Sequence, residues 1–336
     1  MNASFVIPYV KMDQLLEKTI ESVKAQQTRY NFEIILVNNG PDENPSIPGV
    51  SVCRCNTRGA SAARNAGARL AQGKYLAFID SDVVLERNWL EEGLGEILRS
   101  PRIAAVQSPV ISAPLSSEDP SFLDRYRYTY KETITQGTFL FMNRTNIIVN
   151  TAACLIQKDI FWLVHGFDER LLRAEDRHLT LKLLAKGYFL STTMLTSSRV
   201  YNNKGLWGFM FKYYRQGIDD RRINLALGGD GQQEIPPLQS NDVGMRLYRR
   251  LCMFFFHLGP LKKEPPIDPI KFSPSLLNPM LGLAPTTLLV KGARELLLVN
   301  TKTQQLIALT AEPFDWKFPI NWGHELSKKL RDDGFI

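Results

Sequence analysis

The chain has 336 residues, 44% of them hydrophobic and 22% charged, with a formal net charge of +7. That length supports a full hydrophobic core in one large domain plus an appendage. The surplus of lysine and arginine is interspersed with acids, which fits anionic small molecules or an anionic lipid surface, and no nucleic-acid-binding module stands out. Cys53, Cys55, Cys154 and Cys252 lack paired zinc-site spacing and are too few to staple a chain this long, so reduced thiols are expected.

In chain order, residues 5–7 read as a strand and residues 13–26 as a helix, with Leu16, Ile20 and Val23 on one face and Asp13 as its cap. No basic leader with a long apolar core precedes that strand, which favours a cytoplasmic protein. Residues 32–37 form a second apolar run that stops at the turn cluster Asn38-Asn39-Gly40-Pro41-Asp42. Residues 50–54 read as a third strand, 61–71 as a small-residue helix and 75–79 as a fourth strand. A helix over 89–98 and extended chain over 103–111 follow, then a less regular stretch, 112–144. Residues 175–186 read as a helix ending at Gly187, and 206–215 as an aromatic and basic helix. A linker is expected over 228–237 and a second proline-rich connection over 265–279. The apolar runs 251–258 and 281–290 fall short of the roughly 20 residues that a membrane helix needs.

Strands alternating with helices over short connections predict an α/β sheet covered on both faces. Ligands of such sheets sit at the carboxyl ends of the strands, which is where Pro8-Tyr9, Asn38-Asn39 and Asp80-Ser81-Asp82 all fall. Asp80 and Asp82 offer two hard oxygen donors, suited to Mg²⁺ or Mn²⁺ on a diphosphate; alternation along an extended chain would point them to the same side. In Asn56-Thr57-Arg58-Gly59-Ala60-Ser61-Ala62-Ala63-Arg64-Asn65-Ala66-Gly67, small residues permit close approach, and Arg64 is suited to a phosphate or a base. A helix cap explains one acid at the start of residues 175–186. It explains less well why Glu175 and Asp176 stand together between Arg173 and Arg177, soon after Gly166-Phe167-Asp168-Glu169.

Taken jointly and in order, the Pro8 strand, the Asn38-Asn39-Gly40 strand end, Ala63-Arg64-Asn65-x-Gly67, Phe78-Ile79-Asp80-Ser81-Asp82, Gly166-Phe167-Asp168-Glu169 and Glu175-Asp176 resemble a family 2 glycosyltransferase over about residues 4 to 220. The resemblance implies a GT-A fold, a Rossmann-like mixed sheet with helices on both faces, over residues 1–227. A mainly helical extension, 228–336, would carry acceptor, membrane-surface or dimer contacts. It implies transfer of one sugar, with inversion, from a nucleoside diphosphate sugar to an acceptor glycan, lipid-linked sugar, peptide or small metabolite. By resemblance Asp80 and Asp82 hold Mn²⁺ or Mg²⁺, Asp82 more directly, and Asp176 is the general base with Glu175 orienting the acceptor. Pro8, Tyr9, Asn39, Arg64 and Ser81 join Asp80 around the nucleotide.

The chain departs from the family in two places. Many relatives have an aspartate that contacts the base where this chain has Asn38 or Asn39, and often a histidine metal ligand where it reads Val200-Tyr201-Asn202-Asn203. These departures motivate the alternative of a catalytically degenerate protein that binds a nucleotide sugar or serves as a scaffold. His178 reads as a helix-face residue rather than a ligand. The Gln-x-x-Arg-Trp signature of processive polymerases is not matched by Gln216-Gly217-Ile218-Asp219-Asp220-Arg221-Arg222, which favours a single transfer. Trp207, Phe209, Phe211, Tyr213 and Tyr214 suit an acceptor wall or core packing. Leu247, Leu251, Phe254, Phe255 and Leu258 share a helical face that suits an anionic membrane, the catalytic domain or a second subunit. A sugar-phosphate nucleotidyltransferase would share the architecture, but Val6-Ile7-Pro8-Tyr9-Val10-Lys11 is not its glycine-rich phosphate loop.

Overall fold

A computed structural model describes residues 1–113 except 102 and 109, then 150–186, 188–193, 197–200, 205–226, most of 250–258, 264–270, and three strands between 286 and 309. The chain divides into two compact units, Met1–Ser117 with Ile148–Leu183 and Tyr188–Asn202, and Glu118–Ile147 with Leu184–Gly187 and Asn203–Ile336.

The first unit is built on β1 (Ala3–Tyr9), β2 (Phe32–Asn38), β3 (Ser51–Arg54), β4 (Tyr75–Ile79), β6 (Ile103–Gln107), β8 (Ala153–Gln157) and β9 (Phe189–Thr192), in the order β3-β2-β1-β4-β8-β6-β9. Only β8 runs against its neighbours, β4 and β6, so the sheet is mixed as expected. Alternating residues serve two cores. Phe5, Ile7, Ile34 and Leu36 face α1 (Gln14–Lys24) and α3 (Trp89–Ile97), burying Leu16, Ile20, Trp89 and Leu94. Val6, Ile35, Val37 and Phe78 face α2 (Ala60–Leu70), α4 (Lys158–Leu163) and α5 (Glu175–Ala185), burying Ala63, Phe161 and Leu179. A strand buried on both faces reads as a continuous apolar run, which is the pattern of β1, β2 and β4.

Local chemistry sets the ends of these elements. Asp13 caps α1 by accepting from the amides of Leu15 (3.0 Å) and Leu16 (3.1 Å), a device worth about 1 kcal/mol. Pro8 is tolerated in an interior strand because pairing of β1 with β4 ends at Val6↔Phe78, whereas pairing with β2 continues to Tyr9↔Asn38. A Cβ at Gly67 would come within 2.4 Å of Val6 Cγ1 and 2.8 Å of Val37 Cγ2, so α2 lies on the sheet with no room for a methyl group. In a free helix Gly67→Ala would gain about 1 kcal/mol, but overpacking costs about 1–3 kcal/mol. Packing wins here, and a lowered chemical-denaturation midpoint is the expected result; a raised one would show that α2 has slack.

The extended run at 103–111 is two strands, with β7 (Val110–Ala113) leaving the main sheet to pair with β10 (Ser197–Val200), which also pairs with β5 (Val83–Val84). Residues 114–149 and 227–249, which include the irregular stretch and the expected linker, lie outside the described residues.

In the second unit, α6 (Gly205–Ala226) runs eleven residues beyond the helix expected at 206–215. Its charges explain the difference. Asp219, fully buried, accepts from Arg222 Nη1 at 3.0 Å and pairs with Arg215 at 3.4 Å, and Arg215 also reaches Glu264 at 2.8 Å. Ion pairs spaced three and four residues apart let the helix carry its charges into the interior. Among its described residues the extension is not all helix. It carries an antiparallel meander of β11 (Thr286–Lys291), β12 (Glu295–Asn300) and β13 (Leu306–Leu309), with Leu288 opposite Leu298. Runs such as Thr-Thr-Leu-Leu-Val are too short to arbitrate by periodicity, and β-branched residues tip them to strand. Among the described residues no helix is long and apolar enough to cross a membrane.

Candidate active site

The site is assembled at the carboxyl ends of β1, β2 and β4, and helix α2 organises it. One face of α2 packs on the sheet through Ala63 and Gly67. Another is devoted to residues 166–175. Ser61 Oγ donates to the Leu171 carbonyl at 3.0 Å. Asn65 donates to the Phe167 carbonyl and to Glu169 Oε1, both at 2.9 Å, and accepts from the Phe167 amide at 3.0 Å. Arg64 donates from Nη1 to Glu175 Oε1 at 2.8 Å and from Nη2 to Asp80 Oδ1 at 2.6 Å. Residues at helical spacings of three and four share a face, so the Ala-Arg-Asn-x-Gly motif is a seat for a loop 100 residues downstream.

Arg64 is 3% exposed, and its guanidinium lies 5.5 Å from the Phe167 ring centroid. Burial works against its charge, but Asp80 and then Glu175 outweigh that penalty and raise its pKa above the ordinary arginine value. Its Nη groups are engaged by carboxylates, so Arg64 is not a free phosphate clamp, the role that its type first implied. Behind this pair lies Cys154, fully buried on β8. Burial above all pushes its thiol up to about 12, Arg64 acts in the opposite sense, and Asp80 and Asp176 add to the rise. The thiol is therefore uncharged at neutral pH and leaves the electrostatics to the carboxylates.

Asp80 and Asp82 leave the strand on a turn rather than on extended chain. The Val83 amide donates to the Asp80 carbonyl at 3.1 Å, the Asp80 amide to the Ala152 carbonyl at 3.0 Å, and Thr19 Oγ1 to the Ser81 carbonyl at 3.1 Å. Ser81 thus ties the turn to α1 by its backbone. Both carboxylates are partly exposed. Glu175 and Asp176 open α5 immediately after Ala174, whose φ of 58° is left-handed. That conformation costs an alanine about 1–2 kcal/mol and is held by the contacts of α2. Asp176 Oδ1 accepts from the Arg177 amide at 2.7 Å. Asp168 is held by Arg170 and faces His178, which is buried on α5. Burial opposes the ionised carboxyl, but hydrogen bonds from Arg170 prevail and its pKa is lowered.

The two asparagines serve the protein itself. Asn38, fully buried, donates to the Asp42 carbonyl (2.7 Å) and to Asn44 Oδ1 (3.0 Å) and accepts from the Gly40 amide (2.9 Å). Asn39 donates to the carbonyls of Cys55 (2.8 Å) and Thr57 (2.7 Å) and accepts from the Gly59 amide (3.0 Å). Gly59, at φ 122°, then starts α2 in a conformation that side chains rarely adopt. Tyr9 is buried in the α1 face of the core, with its hydroxyl unbonded among the described groups; desolvation raises its pKa. Pro8 is half-buried one residue earlier. The structure brings together Arg64, Asp80 and Glu175, which the sequence reading sets apart at the nucleotide, the metal and the acceptor, and it gives roles to Ser61 and Asn65, for which the sequence reading has none. Their signal is helical phase with Arg64.

Residues 4–161 match the model of glycosyl transferase family 2. The match covers just under half of the chain. A Haemophilus influenzae protein called an uncharacterized glycosyltransferase is 28% identical to this chain, over 55% of the chain and 63% of the relative. The glucosyl-dolichyl phosphate glucuronosyltransferase of Haloferax volcanii is 28% identical over 53% and 60%. The pre-mycofactocin glycosyltransferase of Mycobacterium tuberculosis is 29% identical over 55% and 40%. The chain thus spans less than two thirds of the length of these relatives. Its fold matches the mannosyltransferase PcManGT from Pyrobaculum calidifontis, solved in complex with GDP-Man and Mn²⁺, with a TM-score of 0.52 at 16% identity, over 77% of this chain and 70% of that one. The architecture is that of the GT-A fold.

The donor set of this site fits a divalent ion shared with a diphosphate. Among the described residues no group of three or more His, Cys, Asp or Glu is arranged to hold a metal by itself, and an ion such as Mg²⁺ is ordinarily held by one or two carboxylates plus substrate phosphates. One Asp80 oxygen is engaged by Arg64. Residues 201–203, in the stretch where relatives often supply a histidine, lie outside the described residues.

Proposed function

We propose that this chain is a family 2 glycosyltransferase that transfers a single sugar, with inversion, from a nucleoside diphosphate sugar to an acceptor hydroxyl. The observation that carries this reading is the Arg64 bridge, which holds Asp80 at the donor end and Glu175, beside Asp176, within one guanidinium's span. Mn²⁺ or Mg²⁺ held by Asp80 and Asp82 supplies charge that offsets the charge developing on the departing nucleoside diphosphate. Asp176 takes the acceptor's proton as the hydroxyl attacks the face opposite the leaving group, and Glu175 orients that acceptor. Transfer to Asp176 is needed only as the oxygen becomes nucleophilic, so an ordinary carboxylate suffices. Pro8, Tyr9 and Asn39 shape the floor of the nucleotide site through the loops that they fix, and Ser81 holds the metal-binding turn.

The catalytic region extends to about residue 227, with 228–336 as an extension for acceptor, membrane or subunit contacts. The name of the Haloferax relative makes a lipid-linked sugar the acceptor class to test first, with the protein acting at the cytoplasmic face of a membrane. Calorimetric titration with UDP-, GDP- and dTDP-sugars, in Mn²⁺ and then in EDTA, tests the reading. Binding of one nucleotide class that EDTA abolishes is expected. Absence of binding to all three would favour a degenerate scaffold.

A further inference from the structure

Arg64 holds two carboxylates that belong, in the function proposed above, to opposite halves of the reaction. Asp80 ends β4 on the donor side, and Glu175 opens α5 on the acceptor side. The guanidinium side chain is 4% exposed, with partners at 26% and 14%, so water screens these contacts little. Phe167 packs near the guanidinium, and Asn65, the next residue on α2, holds both sides of the Phe167 peptide. The cation is therefore confined between its two partners.

We propose that Arg64 is a positioning residue that couples occupancy of the donor site to the geometry of the acceptor site, by dividing one positive charge between Asp80 and Glu175. The inference rests on the reading of Asp80 as a metal-binding carboxylate. A divalent ion at Asp80 is a second cation beside Arg64, and like charges repel. The repulsion is relieved as Arg64 gives up Asp80 and commits to Glu175. Glu175 and Asp176 are consecutive residues of the first turn of α5, after the left-handed Ala174. Fixing Glu175 therefore fixes the turn from which Asp176 projects. Donor binding sets the base, and an acceptor meets an ordered site only once the donor is in place.

Coupling of this kind is reciprocal. A change at Glu175, on the far side of Arg64 from the metal, must alter affinity for metal and nucleotide. Glu175→Gln keeps a hydrogen-bond acceptor for Arg64 but removes the charge, so Arg64 settles on Asp80 and competes harder with the ion. Arg64→Met removes the competing cation. In the full-length protein, titrated with Mn²⁺ and UDP or GDP, Glu175→Gln is expected to weaken binding about fivefold. Arg64→Met is expected to tighten binding while lowering kcat for transfer, a pair of effects that general damage to the fold does not produce. Glu175→Gln added to Arg64→Met is expected to change affinity no further. Unchanged affinity in Glu175→Gln, or the same loss in the Arg64→Met background, overturns the coupling. Thermal unfolding identifies a variant that fails to fold; if Arg64→Met does, Arg64→Lys replaces it, because a single ammonium cannot span both carboxylates as a fork does and loss of the Glu175 effect is again expected. A wild-type protein that binds neither Mn²⁺–UDP nor Mn²⁺–GDP removes the functional reading and the coupling with it, an outcome seen before any variant is made.

Discussion

Asp176→Asn is expected to reduce transfer by about 10²–10⁴-fold, the usual contribution of a positioned general base, while leaving the fold and the donor site as they are. The isostere keeps the oxygen that accepts from the Arg177 amide at 2.7 Å, and the bond from Thr180 Oγ1 goes to the residue 176 carbonyl, not to its side chain. Both of these bonds survive the substitution. What is lost is the capacity to take a proton, because an amide oxygen is a far weaker base than a carboxylate. The measurement is a progress curve for sugar transfer beside a calorimetric titration with metal and nucleotide. A large loss in the first with no change in the second assigns Asp176 to chemistry. Comparable activity in the variant removes Asp176 from the mechanism, and parallel loss of both makes it part of the donor site.

The sheet was legible because its strands are apolar on both faces and end in turn residues. β4 was bounded correctly by the contrast between Tyr75-Leu76-Ala77-Phe78-Ile79 and Asp80. Legibility failed where the deciding contact is distant. Nothing local to residues 103–111 says that Gln107 ends one strand and that Val110 joins another sheet, since the partner of β7 lies at 197–200. The length of α6 was hidden because Asp219, Asp220 and Arg222 look like a solvated end until Arg215 and Glu264 are placed beside them. The site shows the same division. Residue type offers Asp80 and Asp82 as oxygen donors for a metal, while the roles read for Glu175 and Asp176 come only from the family resemblance. Type is ambiguous for Arg64, which suits a phosphate as well as a carboxylate, and only the return of the chain at Glu175 decides between them.

Asn39→Asp is nearly isosteric, and in this chain it is expected to destabilise. The side-chain amide of Asn39 donates both of its protons, to the carbonyls of Cys55 and Thr57, and accepts from the Gly59 amide. A carboxylate keeps only the last of these. It sets a negative oxygen against two carbonyl oxygens and leaves them without their donor. An unsatisfied buried acceptor costs about 1–3 kcal/mol; because Asn39 is half exposed and water reaches part of the site, the low end, about 1 kcal/mol, is the expected loss. Asn39→Ala loses all three hydrogen bonds but adds no charge; repulsion between the new carboxylate and the two carbonyls outweighs the one bond that aspartate keeps, so the aspartate variant should be the less stable of the two in denaturant unfolding. Loosening residues 55–59 also frees Gly59 and the start of α2, and therefore Arg64, so weaker binding of metal and nucleotide should accompany the lost stability. An Asn39→Asp protein as stable as the wild type would mean that the loop at residues 55–59 does not depend on the Asn39 amide and that position 39 is open to a base edge. The predicted order, wild type above alanine above aspartate, instead makes Asn39 a strut for the donor loop and moves recognition of the base to the backbone that it holds.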